Sequence, residues 1–344
     1  MERKLTSLLP PLTPSRTTRL LLQRQRSPST LETREAMLRK HREPFSGSDS
    51  ASTTIKTALG TFTKGTKAVS MTHRTKAVRA GEKKLIRVLR RKLKQLATLA
   101  AQTALAHIPE WLLNKSDDDA EAARIGAAAA QAAVEALDWN ILINATEEEL
   151  DEVSRDGVRQ ALLRLGITDE GIVDQAFEEA SSWAKDRAAE MVGMRYNAAD
   201  QLEPNPNAEF QIGDAARDEI QAKVEEAIRE GWSADDLADE IMSIGSFSEA
   251  RAEMIARTEI IRANNEGHMI AFRESGVVEQ KAWSTAEDGD VCIICTENED
   301  QGAIPLDDSF ISGDDAAPAH PNCRCVIVAV IQDEAPEIDS QGSS

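Results

Sequence analysis

The sequence predicts an α+β protein that is mostly α-helical, with a helical N-terminal domain followed by a smaller domain of helices and strands. Its 344 residues are enough for two domains, each with its own hydrophobic core. Aromatic residues make up only 4% of the chain whereas alanine is abundant, which favours closely packed helices over sheets. Apolar residues recur with a helical period up to Gly276, after which two apolar runs predict strands.

The formal net charge of −19 is divided unevenly along the chain. Residues 1–98 contain 23 Lys/Arg and 6 Asp/Glu, whereas residues 99–344 contain 17 Lys/Arg and 53 Asp/Glu. A basic N-terminal segment joined to an acidic body indicates two different partners, or docking of the basic segment on a neighbouring copy. The acidic body alone would be repelled by nucleic acid.

No apolar run approaches the length that is needed to span a bilayer. The run Leu20-Leu21-Leu22 is too short for the apolar region of a signal peptide. We therefore expect a soluble intracellular protein with no membrane partner. In that compartment thiols are reduced, which favours metal ligation over disulfides.

The N-terminal half is predicted to be an arm followed by helices. Residues 1–70 are rich in Ser, Thr, Arg and Pro with little periodicity, which predicts a basic, disordered arm. A helical domain is predicted over residues 71–200. Its first helix starts at Glu82, and two others cover residues 117–137 and 170–192. Between these two, the capping pattern of Thr146 with Glu149 predicts a helix that ends at Leu165. The Pro- and Asn-rich residues 201–212 predict a linker.

The first long helix carries a basic face. Six cations lie on it at helical spacing: Lys83, Lys84, Arg87, Arg90, Arg91 and Lys94. Such a face is either the solvated side of an amphipathic helix or a contact for phosphate groups or an acidic partner. No aromatic residues are interleaved with these cations, so base stacking is not indicated.

The second domain, predicted over residues 213–332 and followed by an acidic tail at 333–344, begins with three helices. They are predicted over 213–230, from the capping pair Ser233 and Asp236 to Ile244, and from Ser246 with Glu249 to Glu274. One stripe of the third helix is apolar except for Thr258 and Asn265. Because buried polar groups must be hydrogen-bonded, we expect these two side chains to hold a nearby loop or strand.

Two strands with a long irregular loop between them are predicted to complete this domain. The strands cover residues 278–285 and 325–331, and the second is apolar enough to be buried on both faces. A loop of this length inside a compact domain is usually functional or held by a specific contact. The cysteines and the histidine in this part of the chain are the expected contact.

All four cysteines lie near the ends of this loop. They are Cys292 and Cys295, at C-x2-C spacing, and Cys323 and Cys325, which follow His320 closely. Two such groups about 25 residues apart are the usual way to build a tetrahedral metal site. Five candidate ligands compete for four positions, and a thiolate-rich closed site suits structural zinc. The alternatives are unligated thiols packed in a small core, or disulfides.

Two enzyme classes are alternatives to a structural role. Arg257, Ser284-Thr285 and Glu297-Asn298-Glu299 resemble the motif order of ADP-ribosyltransferases, but the Glu-x-Glu element follows Ser-Thr too closely and a C-x2-C intervenes. His320 and Asn322 resemble part of a metal-dependent nuclease of the His-Asn-His type, but the His-plus-Asn pairing before a helix is missing. No glycine-rich phosphate-binding fingerprint is present.

Residues from about 231 to 330 resemble the Mu F-like head morphogenesis family of tailed phages, also called minor head proteins. Several motifs carry the resemblance in order: Ala256-Arg257-Thr258-Glu259, Arg262-Ala263-Asn264-Asn265-Glu266-Gly267, Gly276-Val277, Trp283-Ser284-Thr285, Asp290-Val291-Cys292-Ile293-Ile294-Cys295, Gly302, Pro305 and His320-Pro321-Asn322-Cys323-Arg324-Cys325. The helices before the linker are consistent with the variable N-terminal part of this family.

The resemblance implies a virion component without catalytic activity. Its expected place is the capsid interior near the portal, after assembly in the host cytoplasm, and its expected role is capsid assembly with assistance to DNA packaging or ejection. The expected partners are the portal protein and the major capsid or scaffold protein, with several copies per virion. Packaged DNA is a further partner of the basic N-terminal region, and a DNA-binding accessory factor acting through that region is the remaining alternative.

The resemblance also assigns roles to single residues. Arg257, Thr258, Glu259 and Asn265 are expected to orient the central helix against the loop. Trp283 is expected to cover the Cys/His cluster as a buried aromatic. Some members of the family are fused to toxin domains, and none is expected after the last strand of this sequence.

Overall fold

The computed structural model describes residues 66–69, 71, 75–109, 119–208, 212–286 and 288–332, which all lie in one compact unit. Eight helices occur in these ranges: α1 (Lys76–Ala106), α2 (Asp119–Glu135), α3 (Asn140–Leu165), α4 (Glu170–Glu190), α5 (Ile212–Glu230), α6 (Ala234–Ser243), α7 (Glu249–Ser275) and α8 (Ile293–Asp300). The strands are β1 (Thr66–Val69), β2 (Met194–Tyr196), β3 (Leu202–Pro204), β4 (Gln280–Ser284), β5 (Ile304–Pro305) and β6 (Val326–Gln332). The predicted class, α+β and mostly α, is confirmed.

Local signals in the sequence fix several helix ends. The Thr75 hydroxyl accepts a hydrogen bond from the Val78 N–H at 3.1 Å and so caps α1. Ser233 and Asp236 form the predicted capping box at the start of α6. Helix α7 ends at Gly276, whose φ of 64° lies in the left-handed region that favours glycine.

Two predicted helix starts are wrong. Thr146 and Glu149 lie inside α3, where both side chains are buried, so they do not cap it. Ser248, not Ser246, caps α7, because its hydroxyl accepts the Arg251 N–H at 3.1 Å. A Ser or Thr three residues before a Glu also occurs inside helices, so the pattern alone does not locate a helix start. Tertiary packing decides at which residue the helix begins.

Two hydrophobic cores share α3 and α7. The first core lies among the helices and is filled largely by Leu, Ile and Ala side chains of α1, α2, α3, α5, α6 and the first half of α7. The second core lies between the sheet and the later parts of α3 and α7, with α4 beside them. Among the described elements, α3 and α7 pack against each other more extensively than any other pair.

The predicted linker at residues 201–212 contains a strand. Strand β3 pairs antiparallel with β2, with Met194 opposite Pro204, and forms a short hairpin after α4. Helices on both sides of this hairpin contribute to the first core. The segments 71–200 and 213–332, predicted as two domains, both contribute side chains to the first core.

The main sheet has the strand order β1-β6-β4-β5 with antiparallel pairs. In β6, the residues from Val326 to Val330 are 2% exposed or less, as predicted for a strand that is buried on both faces. The loop between β4 and β6 contains α8 and β5, so it is less irregular than expected.

Strand β1 lies within the arm that was predicted to be disordered, so that prediction is wrong for residues 66–69. The four residues pair with β6, from Thr66 opposite Gln332 to Val69 opposite Ala329. A strand of four residues is too short to show a hydrophobic period, and here a distant strand supplies its hydrogen bonds. Residues 1–65, residue 70 and the predicted acidic tail at 333–344 lie outside the described residues.

None of the helices in the described ranges combines the length and the apolar character that crossing a membrane requires.

Helices α3 and α7 approach so closely that glycine is required where they cross. A Cβ atom added to Gly267 would lie 2.1 Å from the carbonyl oxygen of Ser154. One added to Gly157 would lie 2.6 Å from the carbonyl oxygen of Asn264. Both obstacles are backbone atoms, which cannot move aside unless a whole helix shifts.

Replacing Gly267 by alanine should destabilise the protein by about 3 kcal/mol or more, because overpacking costs about 1–3 kcal/mol even where side chains can adjust. Gly213→Ala in α5 is the matched control, since its Cβ would meet Trp139 at 3.6 Å and Val134 at 3.7 Å, which is ordinary contact. The control should be neutral or stabilising because alanine favours helices. Urea unfolding measures both variants, and equal free energies of unfolding would contradict the close crossing.

Candidate metal centre

The Cys/His cluster is assembled from two parts of the chain. Cys292 and Cys295 lie at the start of α8, whereas His320, Cys323 and Cys325 lie just before β6. The Sγ atom of Cys295 lies 3.3 Å from the Nε2 atom of His320 and 3.7 Å from the Sγ atom of Cys323. All four cysteines are free thiols, so the structure does not support the disulfide alternative.

Two overlapping sets of side chains have the mutual spacing that a metal ion needs. The ligand atoms of Cys292, Cys295 and His320 lie within 4.8 Å of one another, and so do those of Cys295, Cys323 and Cys325. Cys295 belongs to both sets and is the central residue of the cluster. The fold therefore brings all five predicted ligands to one place.

The distances in the cluster fit tetrahedral zinc. Zn–S bonds of about 2.3 Å and Zn–N bonds of about 2.0–2.1 Å imply S–S edges of about 3.8 Å and S–N edges of about 3.6 Å. The corresponding distances from Cys295 are 3.7 Å to the sulfur of Cys323 and 3.3 Å to the nitrogen of His320. Thiolate and imidazole donors suit zinc better than harder cations such as magnesium or calcium.

Hydrogen bonds inside the cluster favour thiolates. The hydrogen bond with Cys295 lowers the pKa of Cys292 to about 4, although burial opposes the charge. The pKa of Cys323 is also well below the usual range, first because of its hydrogen bond with Cys295. Burial disfavours the charged form of His320, but hydrogen bonds with Cys292 and Cys323 outweigh it and raise the pKa of the imidazole to about 10. Thiolates are the form in which cysteine binds metals.

The other two thiols hold their protons more strongly. The pKa of Cys295 is raised by its hydrogen bonds with Cys292 and Cys323. At Cys325 the hydrogen bond with Cys295 lowers the pKa, but the neighbouring Cys323 and burial outweigh this and raise it. A metal ion would have to displace these protons, so its binding would be linked to pH.

Thr258 of α7 holds the loop that carries His320 and Cys323. Its hydroxyl accepts the N–H of Asn322 at 3.0 Å and donates to the carbonyl of Met254 at 2.7 Å. Asn322 has a φ of 61°, a left-handed conformation that asparagine tolerates better than most residues. The hydroxyl thus supports a turn directly beside the cluster.

Asn265 of α7 holds the start of β6. Its side-chain amide donates to the carbonyl of Cys325 at 3.0 Å and accepts the N–H of Ile327 at 2.9 Å. The side chain is fully buried, so these bonds are made away from water. The same amide also donates to Ile261 within α7. Both polar residues of the apolar stripe therefore contact the loop or strand that follows the cluster.

Arg257 and Glu259 contact other helices instead of the loop, so the role that was expected for them is wrong. The Arg257 guanidinium donates to Glu82 of α1 and to Glu253 of α7, each at 3.2 Å. Glu259 accepts two hydrogen bonds from Arg187 of α4, both at 2.8 Å, and both side chains are buried. Because they lie on other sides of α7, these residues orient it against α1 and α4.

Trp283 belongs to the same buried cluster as Cys295, Cys323 and Cys325. It lies in β4, is fully buried and meets Phe310 edge to face with ring centroids 5.1 Å apart. An edge-to-face aromatic pair adds about 0.5–1.5 kcal/mol to the burial of the two rings. Trp283 therefore packs the loop residue Phe310 onto the sheet beside the cluster.

Two side chains that the sequence did not single out hold the long loop at a distance from the cluster. Lys281 is buried in β4, where burial lowers its pKa, and its Nζ atom donates to the carbonyl of Asp315 at 2.7 Å. Asn298 of α8 is also buried and contacts Ser312 through both its amide nitrogen at 2.9 Å and its oxygen at 3.2 Å. The available signal was a single lysine directly before Ala282 and Trp283 in a predicted strand, since a buried lysine must be paired.

The predicted basic face of α1 divides into two sets. Lys84 pairs with three glutamates of α3, and the hydrogen bond with Glu149 raises its pKa. Arg90 pairs with two glutamates of α7. The other four are exposed to solvent: Lys83, Arg87, Arg91 and Lys94. Only the second set is open to a partner.

The described residues define a mostly helical protein in which α7 holds a small sheet and a Cys/His-containing loop. Residues 218–328, from within α5 to within β6, match the family described as Phage Mu protein F like protein. The match includes all five candidate ligands as well as Thr258, Asn265 and Trp283, and it confirms the resemblance that the motifs predicted. This region of the chain is therefore similar to the Phage Mu protein F like proteins. No curated protein and no solved structure was found to match the chain.

Replacing Thr258 by valine should destabilise the protein by about 1–2 kcal/mol, because the partly buried N–H of Asn322 would lose its acceptor. Thr258→Ser keeps the hydroxyl and is the matched control, with an expected cost of under about 1 kcal/mol for the lost methyl group. Urea unfolding gives the difference, and hydrogen exchange of the Asn322 amide locates it. Equal behaviour of the two variants would show that the hydroxyl does not hold the loop.

Proposed function

We propose that this protein is a minor head protein of a phage or prophage, with a structural role in capsid assembly at the portal-proximal interior of the head. The observation that carries the proposal is the Mu F-like match over residues 218–328, which covers α7, β4, β5, the start of β6 and the Cys/His cluster. The portal protein and the major capsid or scaffold protein are the proposed partners. Several copies per virion, and assistance to DNA packaging or ejection through the basic N-terminal region, belong to the same proposal.

We propose further that four of the five residues Cys292, Cys295, His320, Cys323 and Cys325 hold a structural zinc ion. The donor set and the distances from Cys295 support this. A closed site with four protein ligands leaves no position for substrate or water, which suits an assembly protein. The ion would tie the start of α8 to the segment before β6, two parts of the chain that share no helix or strand.

The contacts of the candidate catalytic residues favour assembly over catalysis. Both carboxylate oxygens of Glu299 are used by Thr285, one by its N–H and one by its hydroxyl, each at 2.8 Å. Arg257 is engaged by Glu82 and Glu253. An ADP-ribosyltransferase would need the arginine and the glutamate to face a bound dinucleotide. We propose instead that Glu299 anchors the end of β4 to α8.

The test of the assembly role is the recovery of the protein from purified heads. In the phage or prophage that encodes it, the wild-type protein should co-purify with heads and with the portal protein, as measured by quantitative mass spectrometry. Heads prepared in parallel from a strain that lacks the gene provide the control and should show reduced assembly or reduced infectivity. A protein that is made during infection but is absent from purified heads would rule out the proposed role.

Full-length protein should contain one zinc ion per chain by elemental mass spectrometry, with its four thiols protected from a modifying reagent until a chelator is added. Cys295→Ser should lower the zinc content most, because Cys295 belongs to both sets of ligand atoms. His320→Asn and Cys325→Ser form a matched pair, and the variant that keeps its zinc identifies the residue that is not a ligand. Metal-free protein with four freely reactive thiols would contradict the zinc site, and the cluster residues would then serve only to pack the core.

A further inference from the structure

Six exposed cations form a continuous row along α1, which we call the basic stripe. Its members follow one another at intervals of three or four residues: Lys76, Arg79, Lys83, Arg87, Arg91 and Lys94. At a rise of 1.5 Å per residue the row is about 27 Å long. Lys76 and Arg79 precede the helix start that the sequence predicted at Glu82, so the stripe is longer than the predicted basic face.

The basic stripe lacks acidic partners in the described part of the chain, although the Arg87 guanidinium donates to the Lys83 carbonyl at 3.2 Å. Within the ranges that the structure describes, none of its six side chains forms an ion pair, whereas Lys84 and Arg90 on the same helix are paired with glutamates of α3 and α7. Residues 99–344 contain 53 Asp/Glu and only 17 Lys/Arg, so carboxylates are not in short supply. The unpaired cations therefore lie on a face that no acidic element of the chain covers in the described residues.

We propose that the basic stripe binds the phosphate backbone of double-stranded DNA. The exposed neighbours within the stripe are Ala80 and Gln95, and the exposed apolar residue of α1, Leu99, lies beyond its end. Protein partners usually need a buried apolar centre with aromatic or arginine anchors in pockets. A duplex needs only positive charge at its backbone, because the release of counterions supplies the affinity.

The dimensions of the stripe suit this ligand. Successive cations are separated by about 5.4 Å along the helix axis, one helical turn. One DNA strand offers a phosphate about every 3.4 Å along its axis, so each flexible side chain can reach one. The stripe carries no group that is placed to read base edges, so binding is expected to be independent of sequence. In the sequence, residues 1–65 contain 12 Lys/Arg and 5 Asp/Glu.

The acidic body does not cancel the field of the stripe at moderate salt. An α-helix with its side chains is about 10–12 Å across, and the screening length at 0.1 M salt is about 10 Å. Carboxylates behind α1 are therefore screened from a duplex that lies on its outer face. Their repulsion does act on any other approach, so DNA is restricted to this one side of the protein.

This inference deepens the proposed function and rests on it for the source of the DNA, which would be the phage genome inside the head. The contact itself is tested with purified components. Full-length protein is titrated into a short fluorescent duplex of arbitrary sequence, and anisotropy is measured between about 50 and 200 mM salt. Arg87→Gln with Arg91→Gln removes two cations of the stripe. Arg124→Gln with Arg229→Gln is the matched control, since these arginines are exposed on α2 and α5.

The stripe variant should bind on the order of tenfold more weakly per lost contact at 0.1 M salt, and its slope of log affinity against log salt should fall by about 1.8. The control variant should match the wild type. Equal binding by the two variants would overturn the inference. So would a wild-type protein that ignores DNA but self-associates at low salt through the stripe, because the surface would then join two copies.

The same variants separate this inference from the proposed function. Heads that contain normal amounts of the stripe variant, together with lost DNA binding in solution, would support a DNA contact that assembly does not require. Wild-type protein that binds DNA through the stripe but is absent from heads would reject the assembly role alone. Wild-type protein that enters heads but shows no stripe-dependent binding would reject the DNA contact alone.

Discussion

The burial of α7 is the constraint on which the rest of the described structure depends. Of its 27 residues, 16 are buried, and several of these are polar. A buried polar group without a partner costs about 1–3 kcal/mol, and three of the buried polar side chains of α7 have partners on neighbouring elements. Thr258 is hydrogen-bonded to the loop, Asn265 to the start of β6 and Glu259 to α4. These three contacts point in different directions and so fix the rotation of α7 about its axis. The glycine contacts with α3 set its distance from that helix.

The Cys/His cluster depends on this arrangement because its two halves come from separate segments. The backbone on either side of Cys323 is held by α7, through the N–H of Asn322 and the carbonyl of Cys325. Thiolates that lie about 4 Å apart repel each other, so the cluster needs a compensating positive charge. The raised pKa of His320 reflects that need, and a divalent cation would meet it with a fixed geometry. The donor spacing around Cys295 is that of a four-coordinate thiolate and imidazole site.

The sequence was informative where the relevant signal is local. Cysteine spacing identified all of the candidate ligands, and the polar positions in an apolar stripe identified Thr258 and Asn265. The partners of Arg257 and Glu259 were not predictable, because Glu82 and Arg187 lie far away in the sequence and many exposed acids and bases would have served equally well. The same reason explains β1, whose hydrogen bonds come from a strand more than 250 residues later. Periodicity indicates which face of a helix is buried, but it does not indicate what covers that face.

The cations of α1 fall into two groups, those that are paired within the fold and those that are exposed to solvent. Those that face the body, Lys84 and Arg90, are paired with glutamates, and the loss of Lys84 would leave the buried carboxylate of Glu149 without its cation. Those on the outer face remain hydrated, so leaving them unpaired costs the fold little. The fold therefore constrains Lys84 and Arg90 but places no comparable constraint on Arg87 and Arg91. A row of six exposed cations that forms no ion pair in the described residues adds little to the stability of the fold, but it can add affinity for a partner outside it. Charge complementarity favours a partner of opposite charge for this row, and the acid-rich residues 99–344 would disfavour the approach of such a partner elsewhere.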